Sequence, residues 1–472
     1  MTTLDQSDTR TEIAELTARR FVRMRPFGGE PAPRFETRGL PPGPRWPVWF
    51  QTVGLLRFRH RFVPHMWRRY GDVFTVRIVP GGRPLVLFTR PEHAKEIFAG
   101  DPEVFHAGKG NAILGPIMGE HSLLLQDGGE HKRARALLMP AFNGHALRGY
   151  RDLVDEVAHA EVASWRSGEV FRSLDRMNVL TLEVILRVVF GVTDERRLAS
   201  LRPCVNRTVN ISPAVLLGWG YPLLQRFGVW RKTVENAYRL DELMYAEIRE
   251  RRAAGDLSQR SDVLSRLMRA VPEESGEEAR TDRLTDEELR DQLVTLLLAG
   301  HETTASALSW ALYELGRDRA QLDRAREAAR CGDDDHLEAV LKESMRLHPV
   351  IPMVVRTLMR PATVGGWQLP AGATVGPSIL LTHSRADNHP DPERFDPARF
   401  VGQNPAVNTW IPFGGGVRRC IGAGFSLMEG VVVLRAVLTA YDVTAVGHDR
   451  PKVRNITSVP RHGSRIRVTR SD

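Results

Sequence analysis

Cys420 lies in W-I-P-F-G-G-G-V-R-R-C-I-G-A-G, Trp410 to Gly424, a run too rich in glycine for the interior of a strand or helix. Glycine opens backbone angles closed to other residues and lets a flat object approach the main chain. Apolar positions at helical spacing follow from Phe425 to Leu438, so the sulfur precedes a helix N-terminus. Unpaired N–H groups there favour thiolate over thiol. Such a sulfur could be a nucleophile, a metal ligand or an ordinary buried cysteine. A second candidate is A-G-H-E-T-T, Ala299 to Thr304, where Glu302 and two threonines interrupt an apolar helical pattern. A carboxyl there is costly without polar company, and threonine hydroxyls compete for backbone carbonyls. The alternative is an amphipathic helix exposing His301 and Glu302 to solvent. His131 and Arg135 are four apart, hence on one helix face, either solvated or holding an anion. Glu343 and Arg346 are three apart, a spacing common on exposed helices and weak by itself.

Four patterns occur in order: H-x-x-x-R at 131–135, A-G-H-E-T-T at 299–304, E-x-x-R at 343–346 and F-x-x-G-x-R-x-C-x-G at 413–422. In this the chain resembles the cytochrome P450 family, from the proline-rich entry near Pro41 to the terminal strand. The resemblance implies a mainly α fold with small β sheets and a long central helix across a haem. It makes Cys420 the axial ligand of haem b, a thiolate that donates electron density to iron and favours O–O cleavage. Phe413 would pack beside the sulfur and Gly422 would allow close approach to the porphyrin. His131, Arg135, Arg356 and Arg418 would hold the propionates, since arginine pairs with carboxylate through two parallel hydrogen bonds. Ala299 and Gly300 would leave room for oxygen, and Glu302 with Thr303 would deliver protons, a hydroxyl relay backed by a carboxylate. Glu343 and Arg346 would form a buried structural network with Arg394, and Arg399 would support the same region.

The positioning elements follow from local pattern. Thr285 and Glu288 form a capping box opening some thirty residues of helix. One helix is expected from Thr52 to Tyr70, then strands Val73–Val79 and Pro84–Phe88 around Gly81-Gly82. Pro91 starts another helix. Phe105–Leu125 reads as an irregular loop bearing Ile113, Leu114, Ile117 and Met118, which must pack on the core or a ligand. Further helices are expected over Leu147–Trp165, Leu174–Phe190, Tyr238–Arg252 and His336–Leu347. Ile211–Phe227, with Leu216 and Trp219 between helix breakers, reads as a wall or a loop over the core. Glu273–Arg283 reads as a surface loop, and Ser464–Arg470 as an alternating edge strand. Residues 1–38 form a polar and basic N-terminal extension, and 39–472 a single catalytic domain.

Hydrophobic content of 42% with 26% charged residues is that of a folded soluble protein. Three cysteines make no disulfide framework, and a cytoplasmic, reducing compartment is the simpler reading. No eighteen-residue apolar run occurs, so no transmembrane anchor is expected. Thr11–Met24 carries apolar and arginine residues suited to a membrane surface or, more simply, to docking on its own protein. The net charge of +9 is unaccompanied by any nucleic-acid motif, so no nucleic-acid partner is expected.

Together these readings describe a monooxygenase placing one atom of molecular oxygen into a hydrophobic small molecule, by hydroxylation or epoxidation. Pocket candidates also include Leu296, Val350, Met353, Val354 and Val459, with His301 and Arg461 as polar anchors. The sequence carries no flavin or iron–sulfur motif, so a separate acidic ferredoxin and ferredoxin reductase are expected. Lys132, Arg133, Arg418 and Arg419 would supply docking charge. The rival readings are a haem-thiolate isomerase, a peroxide-driven oxygenase, and a non-enzymatic haem sensor or carrier.

Overall fold

The computed structural model describes residues 11, 13–15, 17–18, 39–79, 81–191, 194–211, 215, 223–270 and 283–471. The chain divides into two compact units, one of residues 1–32, 106–146 and 185–300, the other of 33–105, 147–184 and 301–472. The dividing line falls within the longest helix, Asp286–Leu315, after Gly300. That helix starts where the sequence says it should. The Thr285 N–H donates to Glu288 Oε2 at 2.8 Å and the Glu288 N–H to Thr285 Oγ1 at 3.2 Å.

The first unit is helical. Glu195–Val209, Gly228–Ala253 and Val263–Arg269 belong to it, along with the opening half of the long helix. Gly228–Ala253 begins ten residues before the expected Tyr238, after Gly228 takes a φ of +55°. Phe105–Leu125 is less irregular than its glycines suggest, with short helical turns at Ala107–Gly110 and Gly115–Met118. Near the N-terminus Ile13 and Thr17 are buried, and Thr17 Oγ1 donates to Asp241 Oδ2 at 2.5 Å. Ile13 and Thr17 therefore dock on their own unit. Leu216, Trp219, the acidic 273–282 stretch and residues 19–38 lie outside the described residues.

The second unit carries the sheets. Val73–Ile78, Arg83–Phe88, Thr374–Pro377 and Arg356–Leu358 are neighbours in that order. Gly81 and Gly82, both with φ above +70°, turn the first hairpin. Two expectations change here. Thr52–Tyr70 is two helices, Val48–Arg57 and Arg59–Tyr70. The Arg59 Nε donates to the Leu55 carbonyl at 3.1 Å, taking the acceptor that its own N–H would use in a continuous helix. The terminal strand Arg465–Arg470 is central, flanked by Val170–Arg172 and Tyr441–Ala445. Its alternation arises because Ile466 and Val468 are buried while Arg465 and Arg467 face out.

The helix Ala423–Ala440 is long and apolar enough to cross a membrane, but it packs as core beside Arg319–Cys331 and Asp334–Leu347. On the last of these helices, Arg346 and Glu343 form a fully buried bidentate pair at 2.7 and 2.8 Å. Arg346 also donates to the carbonyls of His383, Pro392 and Arg394. The expected third partner is corrected. Arg394 gives only its carbonyl and its side chain is exposed, whereas Arg399 Nε reaches Glu343 Oε1 at 3.3 Å. The Asp396 N–H donates to the same oxygen at 2.9 Å.

Removing one member of a buried ion pair strands the other without solvent. Arg346→Ala should therefore lower the unfolding free energy by about 3–5 kcal/mol. Arg394→Ala should change it by less than about 0.5 kcal/mol. Urea denaturation of the two variants checks the ranking, and equal losses would refute this arrangement.

Candidate functional site

The cysteine loop has no regular ladder of its own, so neighbouring elements must fix it. At its entry the Trp410 Nε1 donates to the Lys342 carbonyl at 3.1 Å. The Ile411 N–H donates to His383 Nε2 at 2.8 Å, which requires that ring nitrogen to be unprotonated. Burial holds the His383 pKa well below its usual value, and the neighbouring His389 and Arg346 add to the effect. The His383 carbonyl in turn accepts from Arg346, so the buried pair and the loop entry share one support. Further along, the Cys420 N–H donates to the Phe413 carbonyl at 2.9 Å, closing the loop. Phe413, edge-on to Trp410, packs against the cluster of Met345, Val350 and Ala307, the last on the long helix.

The loop glycines divide by purpose. Gly416 has a φ of +63°, and a Cβ there would sit 2.1 Å from the Phe98 carbonyl oxygen. A Cβ on Gly415 would strike the Phe98 ring at 2.3 Å. These two let the loop lie against the helix Pro91–Ala99. Gly422 is different. Its φ of −87° suits any residue, and an added Cβ would meet no protein atom within 4 Å. It leaves open space two residues after Cys420, where no described protein atom approaches. Cys420 is exposed and lies three residues before Ala423, the first residue of the helix Ala423–Ala440. A sulfur at a helix N-terminus, open space at Gly422 two residues on, and half-buried Arg418 fit a flat, anionic-edged cofactor bound through sulfur. Arg356, in the same unit, is buried at the start of the strand Arg356–Leu358.

On the long helix, Glu302 is buried and Thr303 is half-buried. Burial pushes the Glu302 carboxyl up to about 7, opposed by Arg454. The Arg454 Nε approaches Oε1 at 3.1 Å, off the hydrogen-bond direction, so that oxygen has a charge nearby but no hydrogen bond among the described residues. The helix is unbroken, and the His301 carbonyl accepts an additional hydrogen bond from Thr181 Oγ1 at 3.0 Å. Thr304 Oγ1 lies 3.1 Å from Ser426 Oγ, six residues past Cys420. It also donates to Glu429, a wholly buried carboxyl raised to about 8 by burial. The acid–threonine step is thus one residue from a direct contact with the helix that follows the cysteine.

The first unit holds His131, Arg135, Ala299 and Gly300. His131 is buried and Arg135 half-buried on the helix Gly128–Leu138. Ala299 is exposed, whereas a Cβ on Gly300 would meet Ile185 Cδ1 at 2.9 Å. Gly300 is therefore small for helix packing as well. Arg133 makes a 2.6 Å ion pair with Glu288 and so is not a free docking charge. Val459 is completely buried in the second unit, and Arg461 is exposed.

Several residues escaped the sequence reading. Arg290 donates to the carbonyls of Ile117 and Met118 and pairs with Asp241 and Asp291. Gln292 Nε2 donates to the His121 carbonyl, and its Oε1 accepts from the Leu123 N–H. The apolar loop Ile117–Leu123 is thereby stapled to the opening half of the long helix. The available signal was R-D-Q at 290–292, set between Leu289 and the apolar run that starts at Leu293. Ser426, Glu429 and Arg454 gave none without their tertiary partners.

A sulfur loop braced by a buried Glu–Arg pair and a long helix carrying a buried acid beside threonine define the haem-thiolate class of oxygenases. The chain belongs to the cytochrome P450 family, whose model matches residues 40–469. It is 52% identical over 435 residues to cytochrome P450 135A1 of Mycobacterium tuberculosis, covering 92% of this chain and 96% of that protein. To cytochrome P450 135B1 of Mycobacterium bovis it is 43% identical over 438 residues, covering 91% of each. Among solved structures it is similar to the cytochrome P450DA heme domain, with a TM-score of 0.78, 26% identity, and coverage of 91% of this chain and 97% of that one. The retinoic acid-bound cyanobacterial CYP120A1 shares the fold, with a TM-score of 0.79 at 24% identity, covering 92% and 99%. The protein is accordingly a monooxygenase, an oxidoreductase that uses haem b with an axial cysteine thiolate.

Both raised carboxyls carry a pH signature. Each binds its proton more tightly folded than unfolded, so folding is favoured most below about 4.5. Stability then falls as pH rises through about 7 for Glu302 and about 8 for Glu429. Glu429→Gln should flatten this decline between pH 5 and about 8, read as urea midpoints across pH. An unchanged slope would contradict a protonated Glu429 in the folded protein.

Proposed function

We propose that residues 39–472 act as one catalytic domain in the cytoplasm, with Cys420 as the axial ligand. The domain places one atom of O2 in a hydrophobic small molecule, by hydroxylation or epoxidation. The other atom leaves as water after two electrons and two protons arrive. Haem, when bound, supplies oxygen binding and the redox change that splits the O–O bond. Gly422 gives it clearance, Phe413 shields the sulfur, and Arg356, Arg418, His131 and Arg135 take its carboxylates.

The observation that carries the reading is the buried Glu302 carboxyl directly before Thr303. With a pKa of about 7 it can both accept and give a proton near neutrality. Arg454, 3.1 Å away, favours the charged form after the proton leaves. The Thr303 hydroxyl passes the proton on without admitting bulk water. Isomerisation or passive carriage would not need this pair.

Apolar side chains support a lipid-like, terpenoid or polyketide-like substrate. Leu114, Ile117, Met118 and Leu296 are buried in the first unit, and Val350 is buried in the second. Electrons come from a separate acidic ferredoxin, itself reduced by a ferredoxin reductase. Exposed Lys132 and Arg419 are candidate docking charges, so reduction should slow as salt rises.

Thr303→Ala tests the relay. Electron consumption should continue while product formed per electron falls several-fold and hydrogen peroxide appears. Coupling equal to wild type would remove Thr303 from the proton path. Turnover with hydrogen peroxide alone, at the electron-fed rate, would favour the peroxide-driven reading instead.

A further inference from the structure

The helix Val48–Arg57 turns Leu55 into the core but leaves its large aromatic side chains outside. Its buried side holds Gln51 and Thr52 beside Leu55, and both polar side chains are put to work. Gln51 donates to the carbonyls of Pro44 and Trp46 and accepts from the Arg77 N–H, while Thr52 accepts from the Val79 N–H. Its outer side holds Trp49 at 57% exposure, Phe50 at 53% and Val53 at 43%. Trp46 before the helix and Phe58 after it are 43% and 55% exposed. Trp49 and Phe50 stack on each other at 3.9 Å between ring centroids. Ile456, 39% exposed, adjoins this region, because Arg59 Nη1 donates to its carbonyl at 3.1 Å.

Singly exposed apolar residues are ordinary, but five within thirteen residues call for a partner. The surrounding charge identifies it. From Gly39 to Gly71 there is no aspartate or glutamate, while Arg45, Arg57, Arg61, Arg68 and Arg69 are all exposed. Tryptophan and phenylalanine flanked by arginine are the groups that settle at the boundary between acyl chains and anionic headgroups. A protein partner would have to match both features with one shape, whereas an anionic bilayer offers both everywhere on its surface.

We propose that the face formed by Trp46, Trp49, Phe50, Val53 and Phe58 seats this protein on the surface of an anionic lipid bilayer. The aromatic side chains enter the headgroup boundary and the arginines pair with lipid phosphates. No membrane-spanning segment is involved. The proposal is independent of which substrate is oxidised, and its test needs no turnover.

The haem-loaded full chain is floated with vesicles of equal phosphatidylglycerol and phosphatidylcholine, and with phosphatidylcholine alone. Wild type should rise with the anionic vesicles, at least tenfold more than with the neutral ones, and less so at high salt. Trp49→Ser with Phe50→Ser should weaken this binding at least tenfold, and Arg57→Glu with Arg61→Glu should abolish the preference for anionic lipid. Brominated lipid should quench part of the wild-type tryptophan emission, a readout that needs no variant to fold. Wild type left unbound, unquenched emission, or equal flotation of the Trp49–Phe50 variant would overturn the proposal. A concentration-dependent dimer lost in that variant, without vesicle binding, would assign the face to a second copy instead.

Discussion

The bidentate pair between Glu343 and Arg346 is the constraint on which the cysteine loop depends. Two opposite charges have been taken fully out of water, and every guanidinium N–H of Arg346 has an acceptor. Arg346 spends its other protons on the carbonyls of His383, at the end of a short helix, and of Pro392 and Arg394, in one turn. Glu343 collects Arg399 and the Asp396 N–H. The pair is costly to bury, and its net contribution to stability is modest against an apolar substitute. What it achieves is geometric. It fixes the backbone of His383, whose ring receives the Ile411 N–H at the start of the loop. The glycines that let Cys420 stand clear could not hold their own conformation without that anchor.

The same economy governs the long helix. Its carboxyl at Glu302 is held near neutrality by burial, with one arginine poised beside it. Thr304 turns toward Ser426 and Glu429, tying this helix to the one that follows the cysteine. Thr304 thus serves the scaffold, and the proposed proton path is left to Thr303 beside it. In the first unit Arg290 plays the scaffold part, holding the Ile117–Met118 backbone with two donors.

Much of this was legible in sequence because the signals are local. The capping box at Thr285 and Glu288 fixed a helix start to the residue, and the glycine density around Cys420 marked a loop. Gly81 and Gly82 announced a hairpin that the strands then closed. What was not legible depends on distant partners. E-x-x-R cannot say whether Arg394 or Arg399 completes it, since that turns on which side chain the loop faces inward. Gly300 reads as room for a ligand until Ile185 is placed beside it. Glu429 and Arg454 acquire meaning only from residues more than a hundred positions away. The helix Val48–Arg57 misleads in the opposite sense, because its glutamine and threonine satisfy backbone from within.

The central claim is that Cys420 binds iron as an anionic sulfur, steadied by a loop that the buried pair supports. The direct measurement is the absorption spectrum of the reduced protein under carbon monoxide. A strongly red-shifted Soret band, lost in Cys420→Ser with haem still bound, is what this account predicts. A wild-type band at the position given by a neutral axial ligand would contradict it.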